Sequence, residues 1–114
     1  MSVDVSFVEM GANDAGRSRA FLEQLFGWPF HPHGGGANGW FQTPTIKMGL
    51  HGGDPSPGFT VFFGVPDLDA AMEKVRHLGG KAGKAADEPG FGRFSICSDP
   101  EGLPFGLHQR PAGE

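Results

Sequence analysis

The sequence predicts an α+β domain made of two βαβββ modules, and three observations predict it. The tripeptide Gly-Leu-His occurs at Gly49-Leu50-His51 and again at Gly106-Leu107-His108, each time closing a half of the chain. A helix-like segment precedes each copy, Asp14 to Phe26 in the first half and Asp67 to Leu78 in the second. Between them lies the one linker-like stretch, Asp54-Pro55-Ser56-Pro57-Gly58. A short chain that repeats its own plan reads as two copies of one small module facing each other across a shared cavity. The expected organisation is a single domain over 1–114, with module one at 1–53, the linker at 54–58 and module two at 59–110.

Each element has its own signal. Val3 to Met10 alternates as a strand, with Val5, Phe7 and Glu9 on one face and Ser6, Val8 and Met10 on the other. Asn13 or Asp14 can cap the helix that follows. Phe21, Leu22, Leu25 and Phe26 form its apolar stripe, Arg17, Arg19 and Glu23 are left for water, and Gly27 ends it. Trp28 to His31 and Trp40 to Gln42 read as short strands around a glycine-rich loop, and Thr45 to His51 as the fourth strand. In the second half Phe59 to Val65 is a strand with Thr60 and Phe62 on one face. Pro66-Asp67 opens a helix whose stripe is Leu68, Ala71, Met72, Val75 and Leu78. Three strands follow: Lys81 to Ala86, Arg93 to Ser98 and Pro104 to Gln109, the last two joined by the turn Asp99-Pro100-Glu101-Gly102. One helix per four strands implies that helices cover one sheet face and leave the other to curve around a ligand or partner.

Composition narrows the function classes. Nine Lys and Arg against thirteen Asp and Glu give a net charge of −4, and no basic run exists, which argues against nucleic acid and anionic membranes as partners. The longest apolar stretch, around Phe59 to Val65, is too short to span a bilayer, and no secretory apolar region opens the sequence. Cys97 is the single cysteine, so no internal disulfide forms, consistent with a reducing cytoplasm. Twenty glycines, ten prolines and eleven phenylalanines without a tyrosine describe a turn-rich domain with an aromatic core.

Ala20-Phe21-Leu22 followed by Leu25-Phe26-Gly27-Trp28, and Val65-Pro66-Asp67-Leu68-Asp69-Ala70-Ala71 followed by Leu78-Gly79-Gly80, are similar to segments of the vicinal oxygen chelate superfamily, the glyoxalase/bleomycin-resistance/dioxygenase proteins. So is the segment from Gly92 to Leu107, which resembles that family's arginine-phenylalanine strand and its Asp-Pro-x-Gly turn. The resemblance covers nearly the whole chain. It implies a curved eight-stranded mixed sheet with helices on the convex face, and a homodimer. It does not select a reaction, because the superfamily hosts many chemistries and some plain binders.

The resemblance also implies four metal-ligand positions, which fall on Phe7, Gly49, Thr60 and Gly106. Phenylalanine and glycine offer no donor and a lone threonine hydroxyl is a poor one, so no metal is expected at these usual places. Residues two along a strand share a face. From Phe7, Gly49 and Gly106 that step reaches Glu9, His51 and His108, which are the candidate catalytic residues. Two histidines and a carboxylate suit a shifted divalent-metal site; they also suit acid–base work, or simply the polar lining of a pocket. Phe7, Trp40, Thr60, Phe62 and Arg93 are the candidate ligand-binding residues, with Phe41 and Phe91 as further apolar walls. His31 and His33 alternate as metal pairs sometimes do, but the glycines after them favour an exposed loop. Gly34-Gly35-Gly36 lacks the pattern of a phosphate cradle and reads as a flexible lid. Cys97 reads as a packed thiol.

The function expected from these residues is a metal-independent, cytoplasmic small-molecule binding protein with an aromatic-lined cavity and no cofactor. The alternative is a lyase, isomerase or dioxygenase using Glu9, His51 and His108 as a shifted metal or acid–base site.

Overall fold

The structure is a computed structural model that describes residues 3–34 and 36–112. Gly35, and with it the middle of the expected lid, lies outside the described residues, as do positions 1, 2, 113 and 114. The chain resolves into two compact units: Phe7–Thr60, and Val61–Glu114 together with Met1–Ser6. Each is a sheet backed by one helix.

In the first unit the strands run in the order β2 (Phe30–Pro32), β3 (Gly39–Gln42), β4 (Lys47–His51), β1 (Asp4–Gly11). β3 is antiparallel to both neighbours, whereas β1 and β4 are parallel. Val8 pairs with Met48 and Met10 with Leu50, which sets one face apolar; Phe41, fully buried, completes it. Helix α1 (Ala15–Phe26) covers that face through Ala15 and Leu22. Asp14 caps its start by accepting from the Arg17 backbone at 3.2 Å, and Gly27 ends it at a left-handed φ of 71°.

Three expectations for this unit are corrected. Of the expected stripe Leu22 packs on the sheet, joined by Ala15, whereas Phe21, Leu25 and Phe26 are exposed. Arg19, assigned to water, lies 4.2 Å over the Phe30 ring while also holding Glu23 at 3.0 Å. Phe41 is not a cavity wall either. It alternates with Trp40 along β3 and belongs to the core beneath α1.

In the second unit β5 (Gly58–Gly64) is parallel to β9 (Pro104–Gln109), which is antiparallel to β8 (Gly92–Ser98). Helix α2 (Leu68–His77) buries Leu68 and Met72 against Leu107 and Cys97, so the single thiol is core packing. Asp67 caps it, accepting from the Ala70 backbone at 3.1 Å. Leu78, expected in the buried stripe, lies just past the helix and is exposed. The strand expected over Lys81 to Ala86 is two strands, β6 (Lys81–Ala82) and β7 (Ala86–Glu88), both paired with β8. The break falls at Gly83, whose N–H donates to the Ile96 carbonyl at 2.9 Å and where a side-chain Cβ would come within 2.8 Å of that oxygen. No described helix is long and apolar enough to cross a membrane.

Candidate functional site

In the first unit, register decides which side chains stand on the face away from α1. Phe7 pairs with Lys47, Glu9 with Gly49 and Gly11 with His51, and Trp40 pairs with Gly49 from the other side. Paired residues project to the same side, so Phe7, Glu9, Trp40, Lys47 and His51 share the helix-free face.

Glu9 and His51 meet there. His51 Nδ1 donates to Glu9 Oε2 at 2.6 Å, a short, charge-assisted bond. The other carboxylate oxygen, Oε1, occupies the space that a side chain at position 49 would need, next to the Phe7 ring. The opposite ring nitrogen, His51 Nε2, faces Asp54 Oδ2 at 3.4 Å. The bond to Glu9 raises the His51 pKa above its ordinary value; partial burial opposes this, and the Glu9 charge and Asp54 add to it. The ring therefore holds its proton more tightly than a free imidazole does, although its side chain is still 43% exposed.

Trp40 is held rather than open. His31 from β2 stacks on its ring at 4.0 Å, and the Lys47 ammonium lies 4.5 Å from its centroid. His31 is thus engaged as an aromatic partner. Nearby, the His33 backbone N–H donates to the Asn38 carbonyl at 2.9 Å, and Asn38 Oδ1 accepts from the Gly52 backbone at 3.0 Å.

The second unit repeats the geometry with different chemistry. Phe62 pairs with Gly106 and Gly64 with His108, as Glu9 pairs with Gly49 and Gly11 with His51. Here the Phe62 ring fills the space over Gly106. His108 is only 5% exposed. Its Nε2 donates to the Phe91 carbonyl at 2.6 Å, and a carbonyl can only accept, so in the neutral ring Nδ1 accepts from the Ser6 hydroxyl at 2.8 Å. The Phe91 ring stacks flat on the imidazole at 3.8 Å, and Phe62, Phe91 and Phe94 meet edge to face. Phe62 is thereby committed to its own unit's aromatic cluster.

The remaining expected residues separate. Thr60 is half-buried at the end of the first unit. Arg93 holds Asp69 of α2 at 3.2 Å: His108 pairs with Phe94, so Arg93, one residue earlier, turns to the helix side. An open depression of about 390 Å³ lies beside it, lined by residues including Asp87, Glu88, Gln109 and Arg110, and by none of Glu9, His51 or His108. Among the described residues no three His, Cys, Asp or Glu side chains gather as a metal ion would require. Asp54 was read from sequence only as linker. Its position three residues after a histidine was the available signal.

The glyoxalase-like domain family matches residues 7–108 of the chain. CFP32, which carries the name glyoxylase in Mycobacterium bovis and Mycobacterium tuberculosis, is 40% identical over 58 residues, covering 46% of this chain and 22% of that protein. The match thus spans under a quarter of the curated relatives' length. Among solved structures, a hypothetical protein of Bacillus halodurans superposes with a TM-score of 0.81 at 7% identity, over 100% of this chain and 99% of the other. A methylmalonyl-CoA epimerase from Mycobacterium tuberculosis gives 0.73 at 15% identity, over 95% of this chain and 88% of the other. One from Streptomyces coelicolor gives 0.75 at 14%, over 97% of each. At these identities the likeness is one of fold. It bears out the expected fold class, two βαβββ modules with helices on one side of a mixed sheet.

Proposed function

Because the chain belongs to the glyoxalase-like family of the vicinal oxygen chelate superfamily, we propose that it is an acid–base enzyme, a lyase or isomerase that takes a proton from a small carbon acid. Glu9 is the proton acceptor, and His51 is the group that orients it. The observation that carries this reading is the 2.6 Å bond from His51 to one Glu9 oxygen, the carboxylate standing over Gly49 beside the Phe7 ring. A carboxylate oriented by a histidine and set against an apolar ring is suited to general-base work. Phe7 stands beside it as apolar wall, with Trp40 in the same row.

The family's metal does not fit this chain's residues at the usual positions. Phe7, Gly49, Thr60 and Gly106 supply no adequate ligand, and the spaces over the two glycines are filled by Glu9 and Phe62. Within the proposal His108 belongs to the framework, since both its nitrogens are engaged in a buried aromatic cluster.

The test is deuterium exchange at the acidic carbon, followed by proton NMR in D₂O with a panel of 2-oxo acids and α-carboxy thioesters. Methylmalonyl-CoA, named for the epimerases of similar fold, heads that panel. The protein should exchange one substrate class, and Glu9→Gln should lose about 10²-fold or more of the rate. Tight binding without exchange in the unaltered protein favours the other reading, a metal-independent binder that sequesters its ligand on Phe7 and Trp40.

The same proposal includes a cytoplasmic homodimer. The exposed apolar side chains of α1, Phe21, Leu25 and Phe26, support the pairing. Sedimentation of the protein and of a Phe21→Ser/Leu25→Ser variant tests it, the variant running as monomer if the helix forms the interface.

A further inference from the structure

We propose that Asp54, in the connection after β4, is a positioning residue that fixes the His51 ring from the side opposite Glu9. This rests on the acid–base reading of Glu9 and His51 and adds the third member of their chain. The imidazole has two nitrogens, and each faces a carboxylate oxygen: Glu9 Oε2 at Nδ1, 2.6 Å away, and Asp54 Oδ2 at Nε2, 3.4 Å away. An ionised carboxylate only accepts, so both ring nitrogens must donate. With two acceptors on opposite edges, the ring can neither flip nor exchange tautomers without breaking a bond.

Asp54 is itself fixed for this task. Its backbone N–H donates to the Ala12 carbonyl at 3.0 Å, and its Oδ1 accepts from the Ser56 backbone at 2.9 Å. That turn leaves Oδ2 to face His51. Before it, Gly53 takes a left-handed φ of 74° and donates to the Asn13 carbonyl at 2.9 Å, directing the chain back over the strand ends. The strand partner of His51 is Gly11. Any side chain there would run into Asp54 Oδ2 and come within 2.9 Å of His51 Nε2, so the glycine keeps the space in which the two meet.

The second module supplies an internal comparison. His108 also stands opposite a glycine, Gly64, but its Nε2 partner is the neutral Phe91 carbonyl and its Nδ1 partner a hydroxyl. The carboxylate pair is therefore not a by-product of the Gly-x-His geometry.

The experiment reads the ring directly. Long-range ¹H–¹⁵N correlation of the histidine side chains at neutral pH should show both His51 nitrogens protonated. In Asp54→Ala the His51 signals should move toward a neutral tautomer mixture. Asp54→Asn, which keeps an acceptor for the Ser56 turn, should shift them less and serves if the alanine variant fails to fold. On a substrate found by the exchange assay, kcat should fall about tenfold or more with KM changed less than about twofold. His51 signals identical to those of the unaltered protein in both variants would overturn the proposal, whatever the activity. Shifted signals in a protein that turns over none of the panel would keep Asp54 as the orienting group while removing the acid–base reading on which its purpose rests.

Discussion

Glu9 and Gly49 face each other across β1 and β4, and the carboxylate of the first stands where a side chain on the second would be. Gly49→Ala therefore places a methyl against Glu9 Oε1 and within 2.8 Å of the Phe7 ring. Both neighbours must move, at a cost of about 1–3 kcal/mol by the usual penalty for overpacking. Urea denaturation should show that loss, with an unchanged m-value. A Gly49→Ala protein as stable as its parent would mean that the carboxylate does not lie over the glycine.

The Glu9–His51 bond gives stability a pH dependence of known sign. The folded His51 pKa is raised above that of the unfolded chain, about 6.5. A group raised on folding contributes stability that is fully present below the unfolded pKa and is lost as pH rises through the folded one. The melting temperature of the protein should thus fall, relative to that of His51→Gln, as pH is raised upward from about 6.5. Because the His51 side chain is 43% exposed, solvent screening keeps the effect small. A gap that widens with rising pH would contradict the assignment.

The two Gly-Leu-His histidines should respond oppositely to removal. His108 is buried, and its loss leaves the Phe91 carbonyl and the Ser6 hydroxyl to be satisfied elsewhere. His108→Leu should cost about 1–3 kcal/mol for the stranded partners. His51→Leu, at a half-exposed site, should cost less in stability while removing exchange activity. Paired denaturation and exchange measurements on the two variants check both halves, and equal stability losses would argue against the difference in environment.

Much of this arrangement could be read from the chain because strands have a period of two. Knowing that Gly49 and Gly106 sit inside strands was enough to put His51 and His108 on the same faces as those glycines. The register then pairs Gly11 with His51 and Gly64 with His108, which repeats the internal symmetry of the sequence in space. What was not legible depends on chain segments that meet only after folding. Which way Arg93 turns is one such case, since its parity is set by the pairing of Phe94 with His108. Asp54 looked like linker because its role needs the turn through Gly53 and the contact with Ala12. The α1 stripe was misread for another reason: Phe21 and Leu25 outweigh Ala15 in hydrophobicity, yet the small residue is the one that lets the helix approach its sheet.

Phe91 separates packing from chemistry in the second unit. It gives His108 two things at once, a carbonyl at 2.6 Å and a ring stacked at 3.8 Å, and its ring also meets Phe62 and Phe94, each at 5.7 Å. Phe91→Leu keeps the backbone carbonyl and removes only the aromatic contacts. The loss should be about 1 kcal/mol, the scale of aromatic pairing beyond simple burial. If the aromatic cluster is framework, this variant melts lower while its Glu9-dependent exchange rate, measured well below the melting point, stays within about twofold of the parent, far inside the tenfold that 1.4 kcal/mol of barrier would give. A stable Phe91→Leu protein with a collapsed exchange rate would move His108 and its ring partners from framework into the reacting machinery. That result would require the roles of the two histidines to be redrawn, since His108 would then act on the substrate through a site that Phe91 itself helps to shape.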